Sequence, residues 1–182
     1  MNKYNGFFIC IFVFLPFLVG AQSYPIDKGS MIIGGSAGFQ SMGGEELRGD
    51  ERTTIFTIAP QFYYFVAPNI SVGATLSYQS ISRGDDSDSA TGIGPGIFYF
   101  FGDENSKTFP FLGVNYMYTS DKDSYTKNDI NLIGGAAFMI AKNVAITGSA
   151  FYMIESYSPD GSDESFSGNT FGVQFGVDVF VF

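Results

Sequence analysis

The chain has 182 residues, 45% of them hydrophobic and 18% aromatic, with 9 basic against 18 acidic side chains and a net charge of −9. This length favours one domain and the aromatic content excludes a disordered chain. The acidic balance excludes a nucleic-acid partner, because phosphate contacts need clustered Lys and Arg, and the absence of His removes the commonest general base and metal ligand.

Residues 1–21, MNKYNGFFICIFVFLPFLVGA, combine Lys3, an apolar run from Phe7 to Val19 and small residues at Val19-Gly20-Ala21. The pattern predicts a secretory signal peptide, cut between Ala21 and Gln22. A retained anchor is the alternative, but the run is shorter than the roughly 20 apolar residues of a helical span. Cys10 lies inside this segment, so the expected mature domain, 22–182, holds no Cys and no disulfide framework.

The mature chain shows period-two alternation in eight segments, separated by clusters of Gly, Asp and Ser. In chain order the predicted strands are Met31 to Ser41, Thr54 to Phe65, Ile70 to Ser82, Thr91 to Phe101, Phe109 to Thr119, Ile130 to Ile140, Val144 to Glu155 and Thr170 to Phe182. The third is typical: Ile70, Val72, Ala74, Leu76 and Tyr78 share one face, and Ser71, Gly73, Thr75, Ser77 and Gln79 the other. The sixth has the weakest phase. Segments of this length match a tilted transmembrane strand, roughly 9–11 residues.

Short connections follow the even strands, at Val66 to Asn69, Gly102 to Thr108 and Ala141 to Asn143. Longer ones follow the odd strands, at Met42 to Thr53, Arg83 to Ala90, Ser120 to Asp129 and Ser156 to Asn169, and they hold most of the acids. Short turns on one side and longer charged loops on the other are the pattern of an outer-membrane barrel. Strand-sized repeats support it: Ile58-Ala59-Pro60-Gln61-Phe62 parallels Ile93-Gly94-Pro95-Gly96-Ile97, and Asn69-Ile70-Ser71-Val72 parallels Asn143-Val144-Ala145-Ile146. Tyr64 and Tyr99 end descending strands while Tyr78, Tyr116, Tyr118 and Tyr152 end ascending ones, predicting two aromatic girdles.

A soluble sandwich or lipocalin-like barrel would point its apolar face inward and charge its outer face. Here the second face is mostly Gly, Ser, Thr, Gln and Ala, which suits a narrow lumen. The expected fold class is therefore all-β, an eight-stranded antiparallel up-and-down transmembrane β-barrel. Pro60 and Pro95 fall inside strands of a sheet without edges, so a bulge is expected at each.

The signal peptide, the eight amphipathic strands, their Gly-aromatic vocabulary and the terminal Phe182 resemble the small outer-membrane β-barrel proteins, the OmpX and OmpA-barrel type common in Bacteroidota. The resemblance covers Ser30 to Phe182 and implies insertion by the barrel-assembly machinery, contact with outer-membrane lipid and lipopolysaccharide, and no shared catalytic motif. The family's end signal carries apolar residues at every second position back from the terminal Phe; Phe180 fits, and Asp178 and Gly176 depart from it.

Known barrel enzymes resemble Ser-His or Asp/His machines, and no Lys lies inside a predicted strand to activate a Ser. No catalytic, cofactor-binding or metal residue is assigned, and the chain is expected not to be an enzyme. Asp178 is the one acid expected to face inward in mid-strand, hydrated or bonded to Gln and Tyr near the periplasmic mouth; a proton or cation site is the alternative. Glu155 is read as a rim charge. Arg48-Gly49-Asp50 and Arg83-Gly84-Asp85 could meet an extracellular partner, but such residues are ordinary in loops. Asp85, Asp86 and Asp88, and Asp160, Asp163 and Glu164, lack the ordered spacing of a calcium loop and are read as solvated acids.

The expected function is a structural or surface-interaction role in the outer membrane of a Gram-negative bacterium, with no open pore. Inward Phe98, Phe100, Phe109, Phe111, Phe151 and Met153 would fill the lumen. The second reading is a narrow, OmpW-like channel for a small apolar solute, suggested by inward Gly92, Gly94 and Gly96. The third, a lipid-modifying enzyme, is disfavoured by the missing His.

Overall fold

The computed structural model describes residues 24–42, 53–84, 86–121, 125–159 and 166–182. Eight strands follow one another: β1 (Met31–Met42), β2 (Thr53–Ala67), β3 (Ile70–Arg83), β4 (Asp86–Phe100), β5 (Thr108–Asp121), β6 (Tyr125–Met139), β7 (Val144–Pro159) and β8 (Phe166–Val181). Each pairs antiparallel with its neighbour in the chain, and β8 returns to β1 to close an all-β barrel. The fold is the expected one. The expected signal peptide, 1–21, lies outside the described residues, as do Arg48-Gly49-Asp50, Asp85, Asp160, Asp163 and Glu164.

Alternation sets the two faces. Phe56, Ile58 and Phe62 of β2, Val72 and Leu76 of β3, Ile93 and Ile97 of β4, Leu112 and Val114 of β5, and Ile130 and Leu132 of β6 all stand exposed on the outside. So do Tyr99, at the end of β4, and Tyr78, Tyr116, Tyr118 and Tyr152, which lie three to seven residues short of their strand ends because those strands run on past the expected girdle; Tyr64, expected beside Tyr99, is half-buried. An apolar belt of this extent, running round the whole wall, belongs against hydrocarbon and not water.

The register also fixes the tilt. Met31 pairs with Tyr64, and the ladder then runs through Val72, Ile97, Val114, Leu132, Tyr152 and Phe171. Continuing the Ala37↔Phe175 register brings Phe171 level with Ser41, not Met31. Such a stagger closes only if the strands tilt, typically by about 35–45°.

Two expectations need correction. Neither Pro60 nor Pro95 sits at a bulge. The β2–β3 ladder passes from Ile58↔Tyr78 to Gln61↔Thr75, and the β4–β5 ladder from Ile93↔Tyr118 to Gly96↔Asn115, both without change of register. Each proline removes a rung for want of an N–H; an inserted residue would instead turn every later side chain to the wrong face. The described irregularity lies between Phe65 and Ala67, at the end of β2.

The loops also differ from expectation. β4 starts at Asp86 and β6 at Tyr125, so 84–85 and 122–124 are the whole of two connections expected to be long; the other two at this end are 43–52 and 160–165. Polar residues extend the strands because the hairpin partner supplies the ladder, as in Arg83↔Asp86 and Ile81↔Asp88. At the opposite end the connections 68–69, 101–107 and 140–143 are close to those expected. Asn69 takes the left-handed conformation there (φ 71°), which Asn tolerates better than most residues. Its side chain donates to the Phe100 carbonyl at 2.8 Å, tying two turns together.

Inside, the short-turn end is solid. Ile26, Phe65, Phe109 and Phe180 are fully or almost fully buried, with Phe98, Phe100 and Phe111 close behind. Residues 24–30 close this mouth from below: Gly29 N–H donates to the Phe65 carbonyl at 2.8 Å, Phe65 N–H to Ser30 at 2.9 Å, and Asn69 N–H to Ile26 at 2.8 Å. No periodic signal marks this segment, because it is too short to alternate.

Candidate functional site

The aromatic plug is held by ring geometry as well as burial. Phe98 meets Tyr63 and Phe111 edge to face, with centroids 5.0 and 5.9 Å apart, and Phe100 lies 5.3 Å from Phe111 and 5.4 Å from Phe65. Such pairs add about 0.5–1.5 kcal/mol each beyond their burial. Glycines make the room: a Cβ on Gly113 would strike the Phe98 ring, and one on Gly172 the Phe151 ring.

Above the plug the lumen opens into a cavity of about 200 Å³ lined by both polar and aromatic side chains. Asp178 stands at its floor, almost fully buried. Its Oδ1 accepts from Gln61 Nε2 at 2.8 Å, and the Thr147 hydroxyl donates to the same carboxylate. Gly34 opposite leaves the space, since any Cβ there would collide with that oxygen. The hydrogen bond to Gln was expected; the tyrosine partner and the open mouth were not found. Tyr63 instead shares a 3.0 Å hydrogen bond with Thr75, and Phe180, two residues on from Asp178, belongs to the plug. Among the described residues no second carboxylate stands beside Asp178 to support the proton-or-cation reading.

A second charged group lies nearer the loop end. Lys127 Nζ is 3.3 Å from Asp129 Oδ2 and 3.2 Å from Glu155 Oε1, and the Thr170 hydroxyl donates to Glu155 at 3.0 Å. This overturns two readings: Lys127 is inside a strand, and Asp129 is a buried inward acid and not a loop residue. Glu155, near the loop end as expected, is half-buried and paired with Lys127. The signal was present: Lys127, Asp129 and Asn131 alternate with Asn128, Ile130 and Leu132, carrying the β6 parity past the first apolar residue.

Three buried polar atoms have no hydrogen-bond partner among the described residues, Ser71 Oγ, Asn115 Oδ1 and Asp129 Oδ1. All three side chains line the same cavity. The expected inward glycines do not form a clear channel: a Cβ on Gly92 would lie 3.2 Å from Met117 Sδ, and one on Gly96 2.7 Å from the Tyr63 hydroxyl. Among the described residues no group of three or more His, Cys, Asp or Glu side chains is placed to hold a metal ion.

No protein-family model matches the chain, and no curated protein matches it. Among solved structures it is similar to Neisserial surface protein A, with 16% identity and a TM-score of 0.53, over 84% of this chain and 97% of that one. It is similar also to the N-terminal β-barrel domain of Pseudomonas aeruginosa OprF, with 13% identity and a TM-score of 0.50, over 85% and 98%. Identities this low establish the fold alone, and that fold is the small eight-stranded barrel of outer-membrane proteins.

Proposed function

We propose that this chain is an integral outer-membrane protein of a Gram-negative bacterium, exported by the signal peptide at 1–21, with a non-enzymatic surface-interaction role and no through-pore. The observation that carries the reading is the aromatic plug: Ile26, Phe65, Phe100, Phe109 and Phe180 fill the short-turn end from wall to wall. Rings stacked against one another in this way leave no file of water for ions to follow. The apolar belt supports the location, and lipopolysaccharide and the barrel-assembly machinery follow as partners. An extracellular partner would meet the acidic loop end.

The OmpW-like channel is the weaker reading, because its glycines back onto Met117 and Tyr63 and the plug lies across its path. Planar-bilayer recording of the refolded barrel tests the choice. A plugged barrel gives no discrete openings, and Phe109→Ala raises the leak; repeated unitary openings of the unaltered chain would overturn the reading.

A further inference from the structure

The wall of the barrel is incomplete on one side. β1 runs to Met42 and β8 begins at Phe166, yet the last pair between them among the described residues is Ala37↔Phe175. Beyond that pair each strand is held by its other neighbour, β1 through Met42↔Thr53 and β8 through Tyr157↔Phe166. The β1–β8 seam is therefore closed at the short-turn end and parted toward the loop end. Unpaired strand edges cannot face hydrocarbon, but they are tolerated where they border a cavity with polar groups in its lining. The seam does so: Gly38, Gln174 and the cavity are contiguous, and nothing lies within 4 Å of a Cβ placed on Gly38.

The outer lips of the seam are apolar. Phe39, Phe171, Val173 and Phe175 are 69%, 72%, 64% and 68% exposed, more than any other large apolar side chain described. Phe39, Phe171 and Val173 lie beyond the last pair and lack the neighbours that a closed seam would supply; Phe175 stands at that pair.

Behind these lips the cavity is rich in acceptors. Asn115 Oδ1 and Asp129 Oδ1 are unpartnered, on side chains more than nine-tenths buried. Among the described residues two carboxylates, Asp129 and Asp178, line the cavity and no Lys or Arg does; Lys127, 3.3 Å from Asp129 Oδ2, stands outside the lining. An occupant must then bring donors and positive charge, whereas a carboxylate or phosphate head would meet like charge. The cavity's 200 Å³ holds a head and a few carbons, so a longer tail would have to leave through the seam into lipid.

We infer that the loop-end half of the lumen is a binding chamber entered sideways from the outer leaflet, and that its ligand class is a single-chain amphiphile with a primary ammonium head. This goes beyond the plugged-barrel reading and uses only its membrane placement.

The test uses the full mature barrel, refolded in nonionic detergent and checked by its heat-dependent gel mobility. Dodecylamine and dodecanoate serve as matched probes, with binding read by native mass spectrometry. The expected result is one dodecylamine per barrel, bound at least ten times more tightly than dodecanoate, with ethylamine a poor competitor. Asp129→Asn weakens the amine about tenfold, the loss of roughly one charge-assisted hydrogen bond. Gly38 and Gln174 are the next positions in register across the parted seam, and the mature chain has no Cys of its own. The double variant Gly38→Cys, Gln174→Cys should therefore bind when reduced and lose binding when its disulfide forms. Equal binding of both probes, or full competition by ethylamine, overturns the ligand class. Unchanged uptake by the oxidised double variant overturns the sideways entry. Ion conduction with selective amine binding would instead sink the plug and leave the chamber standing.

Discussion

The two ends of the lumen share one wall and one apolar belt, but they are built on opposite principles. At the short-turn end the inward positions are Phe65, Phe98, Phe100, Phe109, Phe111 and Phe180, packed ring against ring. At the loop end they include Lys127, Asp129, Glu155 and Thr170, joined by ion pairs and a hydrogen bond, with Asp129 and Thr119 bordering open space. The apolar belt runs outside both, and the outer face turns polar only past its loop-side edge. What a small barrel does is therefore written on the inner parity alone: one end supplies stability, and the other leaves polar groups free to meet something else.

The largest test of that contrast is Phe109→Ala. Phe109 is fully buried in the plug, so its removal takes away apolar burial and leaves a hole that rigid neighbours cannot fill. A loss of about 3–5 kcal/mol is expected, read as a shift in urea midpoint for the refolded barrel in lipid vesicles. If the plug gave way for less than 1 kcal/mol, it would not be close-packed, and the two ends would differ less than the structure indicates.

The charged end should respond less, and in a way that can be repaired. Lys127→Met leaves Asp129 and Glu155 without their cation, at an expected cost of about 1.5–3 kcal/mol. Adding Asp129→Asn and Glu155→Gln removes the uncompensated charge, and most of the loss should return. The same urea titration, run as a mutant cycle, reads both steps. No recovery in the triple variant would mean that Lys127 acts through packing of its stem and not through its charge.

These two ends were unequally legible in the sequence. Apolar alternation located all eight strands, because lipid outside and small side chains inside both enforce period two. It also placed Phe98, Phe100, Phe109 and Phe111 inward. It failed where the outer face becomes polar: Asp86 to Ala90 and Tyr125 to Asp129 carry no apolar stripe, and their strand character depends on a partner several residues away in the ladder. Lys127 and Asp129 were lost with them. Asp178 was legible because it falls on the inward parity in mid-strand, between Val177 and Val179. The parted seam was beyond reach, since register between β1 and β8 joins the two ends of the chain, and local patterns say nothing about such a pairing.

Two glycine variants make the finest comparison, because the chemical change is one methyl group in both. Gly113→Ala places its Cβ on the Phe98 ring, which Tyr63 and Phe111 hold from either side. Overpacking of this kind costs about 1–3 kcal/mol. Gly38→Ala meets nothing within 4 Å; it only restricts the unfolded chain, which stabilises by about 0.5 kcal/mol or changes nothing measurable. Urea midpoints of the two variants should therefore move in opposite directions or differ by at least the larger cost. A Gly38→Ala loss as large as that of Gly113→Ala would mean that β8 lies closer to β1 than their pairing shows. In that case the seam is shut, and the two ends of the lumen are both closed.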